Sequence, residues 1–248
     1  MLKAVRVLAR QQMPNYRKPS SFLIKESYPL PPYSSVIGLV HKLCGFDSYQ
    51  PMQVSVQGCY ASITSDYATN YAFGAVPLER AQLCVNCEEG KKVGVARMPR
   101  SYELLTDVAL LLHIIPEEEW LVSEILAAFT APPIYPSLGR HEDLLQIEEA
   151  SIVELSSAPE TVTTKFDAYV PSSSLDPFYS KSIVGTIYRL GKLFEYDNGK
   201  SRGPTSSPKS KRVWKETVSA YHICSNVVLR GYDGILYDNL YHDVVFPA

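Results

Sequence analysis

The segment YPSLGRHEDL at positions 135–144 places a glycine, an arginine, a histidine and two acids side by side. These residue types could form a catalytic centre, a phosphate-binding loop or a charged turn without chemistry. The two acids are adjacent, without the D-x-D or H-x-E spacing of a metal site. Gly139 permits a positive φ or a close approach to a ligand. Arg140 is therefore the expected phosphate ligand, oriented by the acids, and His141 is either a stacking residue or simply exposed.

A second set of residues could supply the chemistry of a metal-independent ribonuclease. Such an enzyme needs a base for the ribose 2′-hydroxyl, an acid for the leaving oxygen and a cation for the developing charge. Tyr33, His41 and Lys42 are of these types. Tyr33 precedes a predicted helix, however, and residues 41 and 42 point about 100° apart on it. We therefore expect no catalytic residue, with an endoribonuclease as the alternative.

Other enzyme and metal signatures are missing from the sequence. The P-loop pattern, the G-x-G-x-x-G of dinucleotide sites and the G-x-S-x-G elbow do not occur. Cys84 and Cys87 form a C-x-x-C pair, but no second pair follows at zinc spacing. We expect neither a metal nor a cofactor.

Two short segments combine basic, hydroxyl and aromatic side chains. One follows the first predicted strand and the other enters the first predicted helix: Tyr16, Arg17 and Lys18, and then Tyr33, Ser34 and Ser35. In a split βαβ arrangement both segments lie at the same end of the sheet. Helix N-terminal amides bind phosphate, arginine pairs with it, and tyrosine can stack on bases. Together the segments predict a surface for single-stranded RNA.

The overall composition argues against a free, non-specific nucleic-acid binder. The 248 residues carry a formal net charge of −2, whereas such binders are usually clearly basic. With 46% apolar residues, a sizeable core can form. The opening MLKAVRVLARQQ does not resemble a signal peptide, and no apolar run is long enough to span a membrane. We expect a cytoplasmic protein without membrane contact.

Hydrophobic periodicity predicts an α+β core over residues 1–155. The predicted elements are a strand at 2–9, a helix from Ser34 or Ser35 to Cys44 that stops at Gly45, hairpins over 53–98, one strand over 101–115, a helix that opens at Pro116 with residues 117–119 in its first turn, and a strand at 150–155. This order is that of a split βαβ, or ferredoxin-like, fold with inserted hairpin material. Residues 156–248 are predicted as a β-rich extension, in which 197–212 form a mobile basic loop.

Two stretches together resemble a known family. NYRKPSSFLIKESYPLPPYSSVIGLVHKLCGF, followed later by YPSLGRHEDLLQIEEASIVEL, is similar to the CRISPR-associated Cas family five, and more narrowly to its variant from type I-B systems. The resemblance covers about the first 155 residues. The segment PPYSSVIG and the Ser-Leu-Gly-Arg loop are specific when they occur in this order.

This resemblance implies a non-enzymatic subunit of the Cascade surveillance complex. Family members hold the 5′ handle of the crRNA in a ferredoxin-like, RRM-related domain of the RAMP type. A projecting hairpin, the thumb, reaches toward the family-seven backbone subunit and would come from within about 60–98. The family-eight large subunit docks nearby, where target DNA is read beside the PAM.

Carried onto this chain, the family pattern assigns RNA binding to three segments. They are the loop after the first strand (Tyr16, Arg17, Lys18), the start of the helix (Tyr33, Ser34, Ser35) and the Gly139–Arg140 loop with His141. The type I-C branch of the family cleaves precursor RNA with Tyr, Lys and His. This sequence has no adjacent Lys-His pair in the central region where that branch carries it, so catalysis is not expected.

Overall fold

The computed structural model describes residues 2–21, 23–87, 90–175, 184–197, 211–230 and 234–248. Its helices are α1 Tyr33–Cys44 and α2 Leu121–Thr130. Its strands are β1 Leu2–Gln11, β2 Ile24–Lys25, β3 Met52–Cys59, β4 Ser62–Phe73, β5 Leu83–Asn86, β6 Lys92–Thr106, β7 Val108–Pro116, β8 Gln146–Ser157, β9 Thr161–Thr163, β10 Asp167–Pro171, β11 Thr186–Asp197, β12 Lys211–Ile223, β13 Val228–Arg230, β14 Leu236–Asp238 and β15 Val244–Val245.

Four strands and two helices form the centre of the molecule. β8, β1, β7 and β3 lie side by side in that order, and each neighbouring pair is antiparallel. α1 lies between β1 and β3 in the chain, and α2 between β7 and β8, so each helix connects strands that are not direct neighbours. Val36 and Val40 of α1 and Leu121 and Ile125 of α2 are buried in one core with residues of these strands. Because both helices are buried against the strands, the loops that lead into and out of each helix begin and end at fixed positions.

α1 shows one correct and one wrong prediction about its ends. The residue at the N-cap position is Pro32, which has extended backbone, and no side chain caps the helix. The predicted cap by Ser34 or Ser35 is therefore wrong, because both serines lie inside the first turn. Gly45 is the C-cap, as predicted, with a φ of 70° that favours glycine. In the described residues, no helix is long and apolar enough to cross a membrane.

The prediction of one strand over 101–115 is wrong, because Asp107 interrupts the run. Its φ is 50°, and β6 ends just before it while β7 begins just after it. Aspartate tolerates this left-handed conformation better than most residues. As a result the two strands join different sheets: β7 pairs with β1 and β3, whereas β6 pairs with β4.

β4, β5 and β6 form a long hairpin, here called the arm, which continues from the β3–β7 pair. It covers 62–106 and overlaps the range 60–98 in which a hairpin was expected. The 12 residues of β4 span roughly 40 Å at about 3.4 Å per residue. Apolar side chains are exposed along it, among them Tyr67 (75%) and Phe73 (68%). An exposed apolar surface of this kind is typical of a docking element.

The C-terminal strands extend the central sheet at both edges. β10, β12 and β11 follow β3 on one side, and β14 and β15 follow β8 on the other, which gives a 9-stranded sheet. The predicted domain boundary at residue 155 falls inside β8. The chain end also returns to the core, since Ala248 and Val54 exchange backbone hydrogen bonds of 3.1 and 3.2 Å.

The basic loop predicted at 197–212 connects β11 to β12. Residues 198–210 lie outside the described part of the chain. The two ends are described, and Asp197 pairs with Lys211 across the hairpin. The predicted mobility of this loop therefore stays a prediction.

A buried ion network joins the C-terminal segment to β1 and β7. Arg6 Nε donates to Asp243 at 2.9 Å, and Lys165 Nζ donates to the same carboxylate at 2.7 Å. Asp238 accepts two backbone N–H groups and lies 3.4 Å from Nε2 of His113. His113, Asp238 and Asp243 approach within 4.8 Å of one another. The cations of Arg6 and Lys165 supply the positive charge that a metal would otherwise provide.

Asp238 makes the stability of this network depend on pH. Burial alone would raise the pKa of its carboxyl, but the hydrogen bonds from His113, Tyr241 and Leu240 outweigh burial and lower that pKa. A group whose pKa is lower in the folded chain stabilises the fold above its unfolded pKa of about 4. That stabilisation is lost as the pH falls through the folded pKa.

We expect Asp238→Asn to lower the free energy of unfolding at neutral pH by about 3 kcal/mol, because it breaks a buried charged network. The difference between the two proteins should shrink as the pH falls below about 4. Denaturant unfolding at several pH values measures both effects. Asp47→Asn, at an exposed acid, is the control and should behave as wild type at every pH. A constant difference across this pH range would contradict the assignment to the carboxylate.

Candidate nucleic-acid interface

A groove of about 530 Å³ lies between the loop after β1, the start of α1 and the β11–β12 hairpin. Three of the predicted RNA-binding residues line it: Arg17, Ser34 and Ser35. The opposite wall comes from the hairpin, through Arg189, Gly191, Trp214, Lys215 and Thr217. The structure thus brings the first part of the chain together with residues some 170 to 200 positions further on, which the sequence alone did not connect.

The groove is positively charged. Arg17 is exposed, and its backbone is held by a bridge to Ser27. Arg189 is exposed as well, and its Nε donates to Thr217 Oγ1 at 3.1 Å, which fixes the direction of the guanidinium. Lys215 adds a third cation, and none of the described lining residues is acidic. An anion entering the groove therefore meets three positive charges without competition from a carboxylate.

The N-terminus of α1 opens into the same groove. Pro32, Ser34 and Ser35 of the first turn line it, and the first turn contains no acidic residue. Pro32 has no N–H, and the N–H of Ser35 already donates to the Pro32 carbonyl oxygen at 2.9 Å. Among the described residues, the amides of Tyr33 and Ser34 are therefore the ones left open at this end, which also carries the positive end of the helix dipole. This end of α1 is therefore suited to a phosphate group.

Trp214 provides an aromatic surface beside these cations. Its side chain is half exposed, and its ring covers the backbone of Gly191. A Cβ atom added at Gly191 would lie 2.4 Å from the nearest ring atoms, so only glycine leaves room for this arrangement. The indole thus lies against the Gly191 backbone while about half of the residue stays accessible to solvent.

Two predicted stacking residues, Tyr16 and Tyr33, belong to the core instead. Tyr16 is 1% exposed, and its hydroxyl donates to Gln11 Oε1 at 2.5 Å. Tyr33 is fully buried and packs edge-to-face against Tyr169, with ring centroids 6.0 Å apart. Burial raises the pKa of both phenols well above its ordinary value. Both rings fill the space under the loops that carry the groove and are not accessible to a base in this fold, so their RNA-binding role stays a prediction.

Lys18, the neighbour of Arg17, points away from the groove residues toward an acid. Its ammonium lies 3.4 Å from Glu26 Oε2, and it is not among the groove-lining residues. The two adjacent cations therefore differ: Arg17 faces the groove unpaired by any acid in the described residues, whereas Lys18 has an anionic partner.

The Gly139–Arg140 loop is organised around the buried carboxylate of Asp143. This carboxylate accepts the backbone N–H groups of Asn15 (3.0 Å) and Arg140 (2.8 Å). The guanidinium of Arg140 adds a hydrogen bond of 2.6 Å from Nη2 to Oδ1. These bonds and the charge of Asp143 outweigh burial and raise the pKa of Arg140. Gly139 has a φ of 106°, and a Cβ there would lie 2.8 Å from Asp143.

The predicted role of Arg140 as a phosphate ligand stays a prediction, and the bonds of its guanidinium within the loop argue against it. The expectation that the neighbouring acids orient Arg140 holds, but they engage its guanidinium so fully that it binds the protein itself, and Glu142 adds a contact of 3.4 Å. Arg140 also lines a different cavity, next to Arg10 and Gln12, rather than the groove. Gly139 serves the same loop geometry, and His141 is exposed at its tip.

The alternative catalytic triad does not assemble. Both ring nitrogens of His41 are occupied: Nδ1 lies 2.9 Å from the Ile37 carbonyl oxygen, and Nε2 accepts the Gln50 N–H at 2.9 Å. Tyr33 lies eight residues earlier on α1, about 12 Å away along the helix axis, and is buried. Lys42 is exposed on the last turn. His41 thus fixes the end of the helix rather than facing a substrate.

The C-x-x-C pair is not arranged as a metal chelate. Cys84 lies within β5 and Cys87 just after it. Three residues of extended chain separate their Cα atoms by about 10 Å. Across the described ranges, neither cysteine joins a group of three potential metal ligands.

The groove residues of β11 and β12 carried a signal in the sequence. The segments YRLGKLFEY and KRVWKETVS combine basic and aromatic side chains, the residue types that bind phosphates and bases. The pattern did not reveal that these strands lie beside α1, because that contact depends on long-range sheet pairing. Arg189, Trp214 and Lys215 are the functional candidates that sequence reasoning missed.

Comparisons with known proteins agree with this fold. A family profile described as CRISPR-associated protein (Cas_Cas5) matches residues 7–219. No curated protein matches the sequence. A chain of a solved "CRISPR RNA-guided surveillance complex" is similar with a TM-score of 0.51 and 18% identity, over 90% of this chain and 91% of that chain.

Two further solved structures are more distant. A CRISPR protein from Archaeoglobus fulgidus aligns over 98% of both chains, with 10% identity and a TM-score of 0.47. A chain of the type III-B Cmr-beta complex bound to cognate target RNA and AMPPnP aligns over 91% of this chain and 86% of that chain, with 11% identity and a TM-score of 0.44. The profile match, which spans most of the chain, shows that this protein belongs to the CRISPR-associated Cas5 family.

Proposed function

We propose that this chain is a structural subunit of a type I surveillance complex, of the I-B kind, and that it holds the 5′ handle of the crRNA. The groove at the start of α1 carries the proposal, because it joins three cations, a helix N-terminus and an exposed tryptophan without an acidic lining residue. Single-stranded RNA offers the matching chemistry, with a phosphate on each nucleotide and bases that are free to stack.

In this proposal the other parts of the molecule serve assembly. The order β8-β1-β7-β3, with two connecting helices, supports a ferredoxin-like, RRM-related domain. The arm then corresponds to the thumb and meets the family-seven backbone subunit, which is consistent with exposed side chains such as Tyr67 and Phe73. The family-eight large subunit docks nearby, so that target DNA is read beside the PAM by the complex as a whole.

We also propose that the subunit does not cleave RNA. A ribonuclease of this family branch needs a base, an acid and a cation around one phosphate. Here the candidate tyrosine is buried and the candidate histidine has both nitrogens occupied. Processing of the precursor then falls to a separate enzyme, and this chain retains the product.

Arg17→Ala should weaken the binding of single-stranded repeat RNA about tenfold at low salt, because a phosphate contact is lost. The slope of log affinity against log salt should fall by about 0.7 for that contact. Fluorescence anisotropy at several salt concentrations measures both. Lys18→Ala is the matched control, since Lys18 pairs with Glu26 and should change affinity little. Equal losses in the two variants would show that general charge, and not the groove, binds the RNA.

Arg140→Ala should act on stability more than on RNA. It leaves the buried Asp143 without its cation, which costs about 3 kcal/mol and lowers the melting temperature. Arg10→Ala removes an exposed ion pair and should cost less than about 1 kcal/mol. Thermal melting and RNA titration of the folded protein separate the two effects. If Arg140→Ala melts as wild type but binds RNA weakly, Arg140 is a phosphate ligand after all.

Purified protein incubated with repeat RNA in EDTA should leave the RNA intact. Denaturing gels resolve any product, and Tyr33→Phe and His41→Ala serve as comparison variants. Specific cleavage by the wild type that either variant abolishes would establish the endoribonuclease instead.

A further inference from the structure

We propose that the β11–β12 hairpin is a base-stacking platform, on which Trp214 receives an unpaired base while the cations beside it hold the adjoining phosphates. This inference rests on the proposed RNA-binding function and specifies how the bound strand continues beyond the groove. It assigns the main role in base contact to a residue in the last quarter of the chain, and not to the tyrosines of the first part.

The geometry of Trp214 is the first observation that supports the platform. The ring lies over Gly191, where no other residue leaves room for it, and 51% of the side chain remains exposed. An indole that only filled a gap in the sheet would be covered on both faces. Here the six-membered ring of the indole lies against the Gly191 backbone while about half of Trp214 stays accessible to solvent, and a stacking base requires such an accessible ring.

The aromatic surface continues along the hairpin. Phe194 lies directly opposite Trp214 in the strand register, and Tyr196 lies opposite Arg212. Phe194 and Tyr196 contact each other edge-to-face with centroids 5.6 Å apart, and the Arg212 guanidinium lies 4.6 Å above the Phe194 ring. Phe194 is 37% and Tyr196 53% exposed. We call these four residues the aromatic strip, and it offers successive bases more than one ring.

The charges beside the aromatic strip favour RNA over a protein partner. Arg17, Arg189 and Lys215 lie at its groove end, and no ion pair engages them within the described residues. Glu216, the acid next to Lys215 in sequence, is already paired with Lys192 at 3.1 Å. Glu195 lies between Phe194 and Tyr196 and pairs with Val213 in the strand register, so its side chain is on the opposite face of the hairpin. A surface of exposed rings interleaved with unpaired cations matches a chain of bases and phosphates. Since every base has an aromatic face, we expect stacking here to tolerate different base sequences.

Tryptophan fluorescence tests the stacking directly. The chain contains 2 tryptophans, and the other, Trp120, lies at the start of α2. In the full-length Trp120→Phe protein, Trp214 is the sole tryptophan, and short single-stranded oligouridine should quench its emission. An abasic sugar–phosphate oligomer of the same length should bind about tenfold more weakly and leave the emission unchanged. Quenching that is equal for both oligomers would overturn the inference.

Substitutions provide the second measurement. Trp214→Leu should weaken oligouridine binding about tenfold, whereas Trp214→Phe should stay within a few-fold of wild type because it keeps an aromatic face. Gly191→Ala should also weaken binding, since its Cβ displaces the ring although Trp214 is still present. Circular dichroism and thermal melting confirm that each variant is folded, and the Phe variant keeps the test valid if Leu reduces stability.

The outcomes separate this inference from the proposed function. If Arg17→Ala weakens RNA binding while Trp214→Leu binds as wild type, the platform is wrong and the groove function stands. If oligouridine does not bind the wild type at all, both the stacking platform and the RNA-binding groove are contradicted. If Trp214→Leu retains RNA but loses a co-purifying protein subunit, the aromatic strip is a protein-docking surface and the inference is overturned.

Discussion

The buried carboxylate of Asp143 is the interaction on which the arrangement of the proposed RNA-binding end depends. It accepts backbone N–H groups from Asn15 and Arg140 and pairs with the Arg140 guanidinium, so a buried charge is fully satisfied. The amide of Asn15 in turn donates to the carbonyl oxygens of Lys25 and Glu103. One carboxylate therefore links the loop after α2, the loop after β1 and the base of the arm. Arg17 leaves this fixed point two residues later, which sets its position at the groove.

The sequence was a good guide to local structure and a poor one to which side chains are exposed at the groove. The first strand, the helix end at Gly45 and the second helix follow from hydrophobic spacing and glycine conformation, which are local properties. Tyr16 and Tyr33 were expected to stack on bases but are buried. An aromatic ring packs as well in a hydrophobic core as against a base, and only the fold decides between the two. At Asp107 one continuous strand was expected from the apolar run, but a single residue with left-handed backbone divides that run into two strands.

The groove could not be predicted from local sequence, because its two walls come from distant parts of the chain. Its predicted half, Arg17 with Ser34 and Ser35, came from neighbouring segments of the chain. Its other half belongs to β11 and β12, which reach this position because β12 pairs with β10 and β10 pairs with β3. No spacing rule connects residue 17 with residue 214. The C-terminal region is thus part of the same sheet as the core, and the ion network around Asp243 and Asp238 fixes its far end against β1 and β7.

The arm has a consequence for how the cell must produce this protein. Ile63, Tyr67, Tyr71 and Phe73 are all exposed along β4, on a hairpin with open strand edges. Such a surface pairs readily with other copies when nothing covers it. If the arm meets the backbone subunit, as proposed, the supply of this chain has to match the supply of that subunit. Synthesis in excess would yield aggregates, and the level of the partner, more than the stability of the core, would set how much of the chain survives.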